Sequence, residues 1–149
     1  MLEVMIAILT ITAFSIGTLQ LMAFTALYKV RAERQAQANF WIQEDFEDVK
    51  FLASTLDVNS TPANPNVSAD VCTNISQGYA TALRRQLTAP TTPIPTEQLV
   101  GTRPFVRKNY SLYRTFNITS TNPHRLRIDY RVQNQENDVI ARSSVEVIP

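Results

Sequence analysis

Residues 4–28 contain no Asp, Glu, Lys, Arg or His. Built as a helix at ~1.5 Å per residue, the run would be about 37 Å long, against ~30 Å for the hydrocarbon core of a bilayer. Glu3 sits at its tip, with only Met1 and Leu2 before it. A carboxylate beside an apolar helix is expensive in lipid unless it is paired, neutral or within reach of the interface, so Glu3 calls for a functional explanation. Residues such as Val4, Ile6, Leu9, Phe14, Leu19, Leu21 and Phe24 supply the apolar surface.

At ~0.3 to 0.6 kcal/mol each, the Leu, Ile, Val and Phe side chains of the run favour insertion by roughly 3 to 6 kcal/mol. Thr10, Thr12, Ser15, Gly17, Thr18, Gln20 and Thr25 subtract from that. The helix is expected to insert with a modest margin. A cleaved secretory signal would carry a basic n-region and a small-residue cleavage site. No Lys or Arg precedes this run, and residues 29–53 read as more helix without a breaker. The run is therefore expected to be retained.

Leu2-Glu3-Val4-Met5-Ile6-Ala7-Ile8-Leu9 resembles the start of a mature type IV pilin, in which Phe-Thr-x-x-Glu opens a long apolar helix. Ser15-Ile16-Gly17-Thr18-Leu19-Gln20-Leu21 is similar to the Ser-Ile-Gly-x-x-x-Leu segment of minor pilins of the V-type, or pilus-modification, subfamily. The resemblance implies that Glu3 is the fifth mature residue and pairs with the N-terminal amine of a neighbouring subunit during fibre assembly. It also implies that Val4, Ile6, Leu9, Phe14, Leu19, Leu21 and Phe24 face membrane lipid and then the fibre core. The Gly, the Phe-Thr and the basic leader of that family do not precede Met1, so two mature residues are expected upstream. The family's helix-bending Pro is replaced in this region by Gln20.

The 149-residue chain allows one soluble domain beyond the anchor. Its net charge is +1, from 14 basic and 13 acidic residues, which implies no strong pull toward nucleic acid. Cys72 is the only cysteine, which excludes an internal disulfide and a Cys-based zinc site.

Residues 29–56 continue the helix with a changed surface. Ile42, Phe46, Val49, Ala53 and Leu56 recur at spacings of four, three, four and three, one stripe suited to packing on a sheet. Lys29, Arg31 and Arg34 fall where the helix leaves the membrane, and by themselves they favour the cytoplasmic side. Residues 57–70 are turn formers that end the helix. Residues 74–87, with Ile75, Tyr79, Ala82, Leu83 and Leu87, predict a short amphipathic helix weakened by Gly78. Residues 88–104 carry four prolines and read as an extended loop.

The last third carries period-2 patterning. Tyr110, Leu112, Phe116 and Ile118 alternate, with Arg114 the exception. Leu126, Ile128, Tyr130 and Val132 form a second series and Val139, Ala141, Val145 and Val147 a third. Thr121 to His124 and Asn134 to Asp138 supply turns. The expected fold is α+β, a pilin fold: one long helix, anchor in 1–28 and amphipathic in 29–56, then a head in 57–149. The head is an antiparallel meander of about three to four strands, near 105–148, covered by the amphipathic stripe.

No constellation for catalysis emerges, and no cofactor or metal is expected. His124, in a predicted turn, reads as solvated, because no nucleophile with an orienting acid lies nearby. Glu44, Asp45, Glu47 and Asp48 read as a solvated helix face in preference to a calcium site. Arg125, Arg127 and Arg131 read as an ordinary charged sheet face, with nucleic acid disfavoured. Cys72 reads as a small hydrophobe. Asn74, Asn109 and Asn117 head Asn-x-Ser/Thr triplets of a kind that arises by chance.

The expected function is a non-catalytic minor type IV pilin that primes or decorates a pilus. Its expected partners are other pilin subunits, prepilin peptidase, the inner-membrane assembly platform and, before assembly, membrane lipid. A pseudopilin of a type II secretion system shares the layout. A single-pass anchored extracytoplasmic binding domain is the alternative from another class.

Overall fold

The computed structural model describes residues 1–59, 63–89, 93–119 and 121–149. Residues 60–62 of the predicted turn-rich connection and 90–92 of the predicted loop lie outside that description, as do Ser120 and the side chain of Ile75. Helix α1 spans Leu2–Ser54. After it come a 3-10 turn at Ile75–Gln77, helix α2 (Tyr79–Thr88) and strands β1 (Glu97–Phe105), β2 (Lys108–Thr119), β3 (Asn122–Asn134) and β4 (Val139–Val147). The chain divides into two units, Met1–Ala36 and Gln37–Pro149.

The first unit is helical from Leu2 onward, and residues 1–29 are all exposed. In the second, α1 changes character. Ala38, Trp41, Ile42, Asp45, Val49 and Ala53 are buried, and Phe46 is half-buried. This is the predicted stripe extended by one turn at its start, and it faces the sheet. The helix ends two residues early, but Leu56 stays buried because turns follow from Thr55 to Leu52 and from Leu56 to Ala53.

The sheet is a four-stranded antiparallel meander in the order β1-β2-β3-β4. Tyr110, Leu112 and Phe116 on β2, Leu126, Ile128, Tyr130 and Val132 on β3, and Ala141 and Val147 on β4 form its buried face. The register sets Leu112 beside Val132, Phe116 beside Ile128, and Ile128 beside Val145. Fully burying a Leu or Ile side chain such as Leu112, Leu126 or Ile128 stabilises by ~1.5 to 3 kcal/mol, so this face and the helix stripe hold each other. The fold is α+β, a long N-terminal helix packed on an antiparallel sheet.

Three local expectations are corrected. Residues 97–104, read as loop, belong to β1, an edge strand that tolerates Pro104 because one side of its ladder is unpaired. The short helix is broken at Gly78, so only residues 79–88 are α-helical. Asn122, Pro123 and His124, read as turn, open β3.

Gly78 has a packing reason. A Cβ there would lie 2.4 Å from the Pro123 carbonyl oxygen and 2.7 Å from the Pro123 Cβ. The neighbour is backbone and cannot swing aside. Gly78→Ala is expected to cost the head ~1 to 3 kcal/mol, the scale of overpacking, read as a lower denaturation midpoint. Gly17→Ala, with nothing within 4 Å of the added methyl, should leave that midpoint unchanged. Equal midpoints for the two variants would refute the Gly78 contact.

Candidate functional site

Glu3 lies in the first turn of α1. A carboxylate there meets the positive end of the helix dipole, worth ~0.3 to 1 kcal/mol at an exposed site. Val4, Ile6, Leu9, Phe14, Leu19, Leu21 and Phe24 are each more than half exposed. Such a continuous apolar surface exceeds what soluble monomers leave in water. Among the described residues, α1 is the one helix long and apolar enough to cross a membrane by length and composition.

The polar residues of this run are mostly self-satisfied. The Thr10 hydroxyl donates to the Ile6 carbonyl at 3.0 Å, Thr12 to Ile8 at 2.8 Å, and Ser15 to Ile11 at 2.8 Å. Thr18 donates to Ser15 at 2.9 Å and Thr25 to Leu21 at 2.8 Å. These internal bonds remove much of the cost of placing hydroxyls in hydrocarbon. Gln20 makes no hydrogen bond among the described residues, so its amide is the unmet polar demand in the run.

The second unit holds an ion pair that the alternation pattern registered only as a fault. Arg114 is 8% exposed and Asp45 9%, and the Arg114 Nη1 lies 3.1 Å and 3.2 Å from the two Asp45 carboxylate oxygens. Arg114 Nε donates to Gln98 at 2.9 Å, and Nη2 donates to the Leu87 carbonyl at 3.3 Å. One guanidinium on β2 thereby ties α1, α2 and β1 together. Burial pushes the hydroxyl of Tyr130 on β3 far above the ordinary phenol range, and the negative charge of Asp45 adds to that shift. Asp45 is therefore not part of a solvated face.

The other members of the acidic group differ from it. Glu44 takes two bonds from Arg103 on β1, at 2.6 Å and 3.2 Å, and that contact holds its carboxyl below the usual range. Arg103 also lies 4.9 Å from the Trp41 ring, which meets Phe105 edge-on at 5.7 Å. Glu47 pairs with Lys50 at 2.8 Å, and Asp48 is exposed. No group of three or more His, Cys, Asp or Glu among the described residues is arranged to hold a metal.

On the outer face of β3 each arginine meets a carboxylate: Arg125 with Glu146 at 3.2 Å, Arg127 with Asp129 at 3.1 Å, and Arg131 with Glu97 at 3.3 Å. Asp129 is held below the usual carboxylate range first by Ser144, then by Arg127 and Asn117. A stripe neutralised in this way offers few free cations to phosphates. Arg131 also lies 5.3 Å from the Tyr113 ring, a contact that only the register creates.

His124 is half-buried, so its expected solvated state is corrected. Its Nδ1 accepts from the Tyr79 backbone N–H at 3.4 Å, serving a first-turn donor of α2, and its ring sits 5.7 Å from that of Tyr79. Cys72 is exposed. Asn74 caps the 3-10 turn through the Ser76 N–H, Asn117 donates to Asp129 at 2.6 Å, and Asn109 is exposed on β2. An open cleft of about 300 Å³, lined by Arg107, Lys108, Asn109, Asn134, Gln135 and Glu136, contains no hydroxyl, thiol or imidazole nucleophile. No protein-family model matches the chain, and neither curated proteins nor solved structures give a match.

Removing one partner of a buried pair strands the other charge. Asp45→Ala or Arg114→Ala is expected to cost ~3 to 5 kcal/mol in the unfolding free energy of the head. The double change Asp45→Leu with Arg114→Met should recover most of that loss, since no charge is left buried. Additive losses in the cycle would show that the two side chains do not act as a pair.

Proposed function

We propose that this chain is a minor type IV pilin, a non-catalytic structural subunit that primes or decorates a pilus fibre after prepilin processing. One observation carries the reading. The first unit is an exposed, mostly apolar helix headed by Glu3, and in the second the later residues of α1 carry a buried stripe that packs on an antiparallel sheet. The apolar half suits two solvents, lipid before assembly and packed helices afterwards. In such a packed core an unpaired charge costs several kcal/mol, so each Glu3 would favour the one stagger that brings it to a partner amine. The proposed partners are other pilin subunits, prepilin peptidase and the assembly platform. The proposed location is the inner membrane with the head outside the cytoplasm, then the fibre.

The experiment is the N-terminal peptide of the native protein, read by mass spectrometry, together with fibre incorporation. A methylated Phe two residues before Met1 would support pilin processing, and a pseudopilin of type II secretion would share it. An unprocessed end at Met1 would favour a plain anchored domain. Glu3→Ala and Glu3→Leu are expected to insert in membranes as the parent does and to be depleted from sheared filaments by about tenfold, the scale of a 1.4 kcal/mol loss. Normal incorporation of either variant would remove Glu3 from the assembly role.

A further inference from the structure

The sheet has two edges, β1 and β4. β1 is blunted: Pro104 lacks a backbone donor, a register shift falls between Leu99 and Gly101, and Arg103 is held by Glu44 on α1. β4 is different. It runs nine residues, Val139–Val147, without proline or lysine, and its only irregularity is near its start, opposite Val132 and Gln133. Its ladder bonds go to β3, and among the described residues nothing pairs with its outer backbone groups. An open edge of that kind is a template for another strand.

The side chains of β4 select the occupant. Arg142, Ser144 and Glu146 are exposed on one face of the strand, while Ala141 and Val147 lie on the buried face. Arg142 makes no ion pair among the described residues. Consider β4 against β4 of a second copy, antiparallel about a two-fold axis. An axis at Arg142 or at Glu146 sets like charges opposite each other, which is unfavourable. An axis at Ser143 or Val145 sets Arg142 opposite no carboxylate, while Glu146 keeps the Arg125 of its own copy. An axis at Ser144 sets Arg142 opposite Glu146 of the second copy, twice, and Ala141 opposite Val147, twice. Among these registers only that one sets Arg142 opposite a carboxylate, the Glu146 that Arg125 of its own copy also contacts, and it continues the apolar face across the junction.

We propose that β4 is a homotypic docking edge, joining two copies of this chain as an antiparallel β4–β4 pair centred on Ser144. Two four-stranded sheets then become one sheet of eight strands. Symmetry makes the contact isologous, so it closes at two copies and does not propagate. The inference is independent of the proposed pilin function, because it uses only the head.

The test is cysteine cross-linking of the full chain in detergent micelles, with Cys72→Ser removing the native thiol. Residues opposite each other across an antiparallel pair have Cα atoms ~4.5 to 5.5 Å apart, within disulfide reach. Ser144→Cys is expected to give a reducible dimer under mild oxidation. Arg142→Cys and Glu146→Cys place their thiols about 14 Å from their own symmetry mates, at ~3.4 Å per residue, and should yield at least about tenfold less. Adding Arg142→Glu to the Ser144→Cys chain should lower the yield, and adding Glu146→Arg as well should restore it. The same charge reversal and rescue should appear in the dimer fraction of chains without added cysteines, measured by sedimentation. Equal cross-linking at 142, 144 and 146, no dimer at Ser144→Cys in a folded chain, or indifference to the charge reversal would each overturn the proposal.

Discussion

Everything in the head converges on the buried contact between Asp45 and Arg114. The guanidinium reaches α1 through Asp45, α2 through the Leu87 carbonyl and β1 through Gln98, from its own place on β2. Ile42, Val49 and Ala53 pack the helix stripe into the core against the sheet. A charge pair withdrawn from water allows little slack, because any slip of the helix leaves both charges unpaired in a low-dielectric setting. Such a pair adds little net stability over an apolar substitute, but parting it is costly. The outer contacts accompany it, with Glu44 meeting Arg103 and Trp41 meeting Phe105 edge-on.

That same pair shows where the sequence was readable and where it was not. The stripe at Ile42, Phe46, Val49, Ala53 and Leu56 and the alternation in β2, β3 and β4 are period signals, and burial enforces period. Arg114 broke the alternation and Asp45 sat among acids, and each looked like a departure or a solvated charge when read alone. Their meaning lies in each other, 69 residues apart, and no local pattern carries that. β1 was hidden for a related reason. Pro104 and the three prolines before the strand argued for loop, and the β1–β2 turn carries no turn signal: Val106 and Arg107 take positive φ of 42° and 67° with side chains that disfavour it. Tertiary pairing with β2 overrides that local cost. His124 was misplaced because a partner in α2, not its own segment, decides its surroundings.

Gly78 illustrates a second kind of long-range constraint, one made of space instead of charge. The backbone of Pro123 approaches so closely that a methyl group would have no room. In the sequence Gly78 looks like a weak point in a helix; in the fold it is what lets α2 meet the start of β3. Near this junction the Tyr79 N–H finds its acceptor in His124. A broken helix and a displaced turn therefore have one cause, the close seating of α2 on β3.

The apolar half of α1 poses a different balance, between two environments. Its Thr and Ser hydroxyls bond to carbonyls of the preceding turn, so they ask nothing of their surroundings and cost nearly the same in lipid as against another helix. The Leu, Ile and Phe side chains also discriminate weakly, because lipid tails and packed side chains are both apolar. The groups left to prefer one environment are Glu3 and Gln20. Lipid offers Gln20 no partner along the span, and Glu3 at the tip has only the interface, whereas a neighbouring helix could meet both. For the assembly proposed above, Glu3 and Gln20 are the two groups whose pairing would distinguish packed helices from lipid.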